Sequence, residues 1–125
     1  MILIVDSWAW LAITEEDELA ERVLRHINNK NNKIFTTLLN ISEIYYRIKE
    51  RSSEEGAREF IESIKKNATI TEMDEEIAFL AGDLHLNEKL PLVDAFVYAT
   101  ALKCGGYVLT GDPHFKNKKN VVYIG

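Results

Sequence analysis

The sequence has a single cysteine, Cys104, in 125 residues, so no internal disulfide can form and nothing in its cysteine usage points to an oxidising compartment. It has no glutamine and only two prolines and six glycines, which excludes collagen-like and low-complexity chains. No apolar run approaches the roughly 20 residues of a membrane span. The opening run Met1 to Val5 has no basic leader and is too short for a signal-peptide core. The expectation is a soluble, cytoplasmic protein with no membrane association. Positive charge is also short: 15 Lys and Arg face 20 Asp and Glu, a net charge of −5. A chain of that sign does not wrap nucleic acid by charge alone. The three histidines, His26, His85 and His114, show no metal-ligand spacing, and Cys104 has no cysteine partner, which argues against zinc. What is present is 46% hydrophobic and 28% charged residues, the balance of one globular domain spanning 1–125.

The charge is unevenly placed. Asn67 to Leu102 holds seven acids and one base, whereas Lys103 to Gly125 holds four lysines and one acid. Lys116, Lys118 and Lys119 beside Phe115 read either as a solubilising surface loop or as a phosphate-contacting lip next to an acidic site.

The hydrophobic pattern alternates between short strands and helices. Ile2 to Val5 is a continuous aliphatic run, the mark of a strand buried on both faces. Asp6-Ser7 can cap a short helix to Leu11. Thr14, followed by Glu15, Glu16 and Asp17, predicts the cap of a second helix running to Ile27. Lys33 to Thr37 is a strand, Leu38 to Arg51 a long helix, and Ser52-Ser53-Glu54-Glu55 opens another. Ala68 to Thr71 is a small strand, and Asp74 caps a helix to about Glu88. Val93 to Lys103 is helical and stops at Gly105-Gly106. Tyr107 to Thr110 and Val121 to Ile124 are the last strands. This order predicts an α/β fold, a three-layer α-β-α sandwich around a mainly parallel sheet of four to five strands. In such sheets the site lies off the carboxyl ends of the strands.

Acids stand at that edge. Asp6 ends the first strand and Asp112 follows the fourth after one glycine; each is also an ordinary turn or cap residue. Asp94 opens a helix that is apolar nearly all round, hence buried, and serves either as a first-turn cap or as a compensated interior carboxylate. Glu43 lies nearly opposite the Ile41, Ile44, Tyr45, Ile48 stripe of its helix, so periodicity places it in solvent, paired with Arg47. Were the four acids to converge, each ionised pair at about 5 Å would repel by about 3 kcal/mol at an effective dielectric of roughly 20. That repulsion demands protonation or a cation, and all-oxygen ligands suit Mg²⁺ or Mn²⁺.

The strings Ile4-Val5-Asp6-Ser7, Asn40-Ile41-Ser42-Glu43-Ile44, Leu90-Pro91-Leu92-Val93-Asp94-Ala95 and Val108 to Phe115 together resemble the PIN-domain family. The similarity is greatest to its short, stand-alone VapC-type toxins and covers the whole chain. The resemblance implies a metal-dependent endoribonuclease whose acidic cluster maps onto Asp6, Glu43, Asp94 and Asp112. Ser7 matches the family's small hydroxyl residue after the first acid, and Thr110 its threonine before the last. Gly111 departs from the asparagine common at that place, and Pro113 follows, which puts the position of Asp112 in question. The implied cofactor is Mg²⁺ or Mn²⁺, the implied substrate RNA, and the implied partners a second copy of the chain and a VapB-type antitoxin. The antitoxin helix would lie against Tyr45, Tyr46 and Ile48, a face that core packing explains equally well. Trp8, Trp10 or Phe115 would stack on unpaired bases, or pack in the core. An RNA-processing or structure-specific DNA nuclease without an antitoxin is the near alternative. A phospho-receiver module belongs to another class, but it requires adjacent acids after the first strand, where Asp6 is followed by Ser7 and Trp8.

Overall fold

A computed structural model describes every residue from Met1 to Gly125. The order of elements is β1 (Ile2–Val5), α1 (Ser7–Ile13), α2 (Glu18–Ile27), β2 (Lys33–Thr36), α3 (Leu38–Arg51), α4 (Glu54–Asn67), β3 (Thr69–Ile70), α5 (Glu75–Glu88), α6 (Leu92–Cys104), β4 (Tyr107–Thr110), a 3-10 turn (Pro113–Phe115) and β5 (Val121–Tyr123). All five strands are parallel, in the order β3-β2-β1-β4-β5.

The strand pleat sorts the core. Leu3 and Val5 of β1 and Leu109 of β4 point to one face, where they meet Ala9, Trp10, Val23, Ile44, Ile48 and Ile64 from α1 to α4. Ile4 of β1 and Val108 of β4 point to the other, against Ile77, Ala81, Leu84, Ala95 and Val97 from α5 and α6. This is the period-two alternation of a sheet covered on both sides. The chain runs outward through β1, β2 and β3 with helices on one face. It then returns through α5 and α6 on the other face to β4, beside β1. The strand order therefore reverses between β1 and β4, the place where open α/β sheets form a crevice. No helix is long and apolar enough to cross a membrane.

Three local expectations need correction. Thr14 does not open α2: it closes α1, and Asp17 is the cap, accepting from the Ala20 amide at 3.2 Å. Both residues are good caps, but Glu16 takes a positive φ of 54°, and that turn moves the helix start three residues on, from Thr14 to Asp17. Asp6 sits at the cap position of α1, yet its side chain makes no cap hydrogen bond. Asp94 is likewise no cap; Pro91 stands at the cap of α6 and Asp94 lies inside the first turn. Asp94 is thereby free of local backbone duty, and Asp6 keeps only the adjacent Ser7 amide.

Candidate active site

The crevice is assembled at the carboxyl ends of β1 and β4. Asp6 follows β1 directly, its amide still in the sheet and donating to the Leu109 carbonyl at 3.1 Å. Its side chain is buried. Thr110 Oγ1 donates to Asp6 Oδ2 at 2.8 Å, and Asn40 Nδ2 donates to Asp6 Oδ1 at 3.2 Å. Thr110 serves twice, because its hydroxyl also accepts from the Asp112 amide at 3.0 Å. One side chain of β4 thus spaces the first acid from the last.

Asn40 is the residue that sequence reasoning missed. It is fully buried and belongs to the capping box of α3. Its Oδ1 accepts from Thr37 Oγ1 at 2.8 Å and from the Thr37 amide at 3.3 Å, which fixes which end of the amide faces inward. Its Nδ2 then donates to Asp6 and, at 3.2 Å, to Ser7 Oγ. Since the Ser7 oxygen accepts there, its one proton is directed to Glu43 Oε1. The signal was available: a Thr at the cap with Asn three residues on marks the box, though it does not reveal what the rest of the amide holds.

Glu43 does pair with Arg47, Oε2 to Nη2 at 3.1 Å, as its spacing predicts. The same carboxylate is also held by Ser7, so the face of α3 opposite its apolar stripe overlooks the strand edge rather than bulk water. Asp94 enters from α6, with only 14% of its side chain exposed. Its height is set by a tight α5–α6 connection, in which Lys89 adopts φ 58° and His85 Nδ1 donates to the Leu90 carbonyl at 2.6 Å. Asp112 opens the 3-10 turn. Its Oδ1 accepts from the His114 amide at 2.9 Å, and His114 Nδ1 lies 2.8 Å from that oxygen and 3.4 Å from Asp94 Oδ2.

The electrostatics report the crowding. Burial first, then the charges of Asp112 and Glu43, push the Asp6 carboxyl up to about 6 against the pull of its Thr110 hydrogen bond. Burial, followed by the charges of Asp6 and Asp112, raises Asp94 to about 7, with His114 opposing. The four acids therefore share one field. The donor set is carboxylate oxygen with hydroxyl and amide support, which fits a hard divalent cation.

Gly111 explains its own departure from asparagine. A Cβ at that position would stand 2.3 Å from the Trp8 indole, which lies across the strand end. Trp8 is partly exposed, whereas Trp10 and Phe115 are buried, so neither of the latter is free to stack on a base. Phe115 instead plugs the α5–α6 core. Ile48 is also core, while Tyr46 is 54% exposed and borders an open groove of about 570 Å³ with Trp8, Leu11 and Arg47. Lys116 and Lys119 are exposed; the Lys118 ammonium is 2.7 Å from Glu88 Oε1.

The fold and this crevice define a three-layer parallel α/β protein with a carboxylate site at its switch point. The family model described as "PIN domain" matches residues 3–121, so the chain belongs to the PIN-domain family. Solved structures with the same fold include VapBC2 of Rickettsia felis bound to a promoter DNA fragment, at 15% identity and TM-score 0.77, covering 99% of this chain and 98% of that one. VapC20 of Mycobacterium tuberculosis, a sarcin-ricin loop cleaving toxin, aligns at 17% identity and TM-score 0.76 over 92% of each chain. A toxin–antitoxin complex from Klebsiella pneumoniae aligns at 21% identity and TM-score 0.74, over 98% of this chain and 96% of that one. No curated protein matches the sequence.

Proposed function

We propose that this chain is a divalent-metal-dependent endoribonuclease, the toxin of a VapC-type toxin–antitoxin pair. The observation that carries the reading is the gathering of Asp6, Glu43, Asp94 and Asp112 around one crevice, where burial and neighbouring acids raise the carboxyls of Asp6 and Asp94. Asp6 and Asp94 are the expected principal ligands of Mg²⁺ or Mn²⁺, with Glu43 and Asp112 completing the shell directly or through water. A cation held there stabilises charge on a phosphate and lowers the pKa of water. The protein's own part is orientation. Thr110 and Asn40 hold the two oxygens of Asp6, and Ser7 fixes Glu43. Lys116 and Lys119, both exposed, are the expected contacts to flanking phosphates; Lys118 would first have to leave Glu88.

The partners follow from the same reading. The groove beside Trp8 and Tyr46 suits an amphipathic antitoxin helix, and an arginine or lysine from that partner would complement the acids. A homodimer would cover exposed apolar side chains such as Phe79 and Leu86, which share one face of α5 and are 66% and 77% exposed.

The test is cleavage of a labelled single-stranded RNA by the wild type with Mn²⁺ or Mg²⁺, by the wild type with EDTA, and by Asp94→Asn with metal. Cleavage that needs the ion and is lost in the variant supports the reading. Folded protein that neither cuts RNA nor binds a divalent ion in calorimetry overturns it.

A further inference from the structure

We propose that His114 is a metal ligand in this chain, its Nδ1 joining Asp94 and Asp112 on one divalent ion and biasing the site toward Mn²⁺ over Mg²⁺. The inference rests on the reading of the crevice as a metal centre and adds to it a nitrogen donor that no sequence spacing announces.

The geometry is that of neighbours around one ion. Nδ1 lies 2.8 Å from Asp112 Oδ1 and 3.4 Å from Asp94 Oδ2, and one ligand atom from each residue falls within 4.8 Å of the others. Around an octahedral ion with bonds of about 2.1 Å, adjacent donors stand about 3 Å apart and opposite donors about 4.2 Å. The three atoms therefore need little movement to share a cation.

The ring is held there from behind. Phe115, the next residue, is fully buried and meets Tyr98 edge-on at 6.0 Å, while the Tyr98 hydroxyl donates to the Lys119 carbonyl at 2.9 Å. Pro113 leads the turn, and the His114 amide is tied to Asp112. A turn fixed at both ends carries the imidazole over the acids, although more than half of the side chain remains exposed. Ligation through Nδ1 requires the ring proton to sit on Nε2. Imidazole suits transition metals, whereas Mg²⁺ prefers oxygen throughout.

Pulsed electron paramagnetic resonance of Mn²⁺ added to the full chain tests this, beside His114→Gln. Nitrogen coupling from a bound imidazole is expected in the wild type and absent in the variant. Calorimetry should show the variant's Mn²⁺ affinity about tenfold weaker, with its Mg²⁺ affinity little changed. Bound Mn²⁺ without nitrogen coupling in the wild type, or coupling that survives in His114→Gln, overturns the proposal and leaves the all-oxygen site intact. No Mn²⁺ binding by the folded wild type overturns both this proposal and the metal reading beneath it. Circular dichroism confirms that the variant is folded.

Discussion

Carboxylates on the outer surface of this protein and those in its crevice are treated in opposite ways. Asp74 caps α5 and takes a hydrogen bond from Lys103, which draws its pKa down. Glu54 sits between Arg58 and Lys49 and is lowered for the same reason. Asp6 and Asp94 receive no lysine or arginine, and their carboxyls rise to about 6 and about 7. The chain's lysines and arginines pair with acids elsewhere. Arg47 reaches only the far oxygen of Glu43, and His114 alone leans on Asp94. Charge left unmatched in this way costs stability, and the cost is understandable where a cation is meant to arrive from solution.

The sharpest way to break the contrast is to neutralise one acid. Asp94→Asn should reduce RNA cleavage by at least about a thousandfold, as expected for a group that holds the charge-stabilising ion. Measured without metal at pH 8, the same variant should melt above the wild type, because the repulsion it relieves is real only while the site is empty of cations. Asn40→Asp comes next. It keeps an acceptor for Thr37 but turns the donor facing Asp6 and Ser7 into another acid. Metal affinity by calorimetry should weaken about 10- to 100-fold.

Acidity gives a third, smaller effect. Asp6 and Asp94 titrate in the folded protein well above the roughly 3.9 of an unfolded aspartate. Between about pH 4 and pH 7 the folded state thus holds more protons than the unfolded chain, and stability declines as pH rises through that window. The metal-free melting temperature should fall by about 5 °C or more from pH 5 to pH 8, and Mn²⁺ should restore it at pH 8. A drop that metal leaves unaltered would place the effect outside the crevice. Smallest of all, Glu54→Gln breaks two exposed pairs and should shift melting by no more than about 2 °C.

The fold was largely legible because its signals are local. The aliphatic run Ile2 to Val5, the all-apolar helix after Asp94 and the Gly105-Gly106 stop each announce an element, and the β-α-α repeat announces the sheet. Gly105 indeed takes φ 70° at the end of α6. The site was legible as residues but not as an arrangement. Periodicity put Glu43 in solvent, and only the docking of α3 over the strand edge turns its polar face into a wall. Asn40 went unread in the sequence; it belongs to the capping box of α3, but the second end of its amide acts on residues 33 and 34 positions away. His114 owes its place to the buried Phe115 beside it, a contact that no ligand spacing encodes.

The bond from Thr110 to Asp6 spans 104 residues. β1 pairs with β2 early in the chain, but its other edge waits for β4, which only then brings Thr110 and Asp112 to the crevice. Contacts of such sequence separation form late and slowly. A ribosome extending this chain therefore makes Asp6, Ser7, Asn40 and Glu43 early, but the pocket waits for Asp94, Thr110 and Asp112 to be complete. On the proposed nuclease reading, the growing chain would lack its full set of acids until its last strands are out.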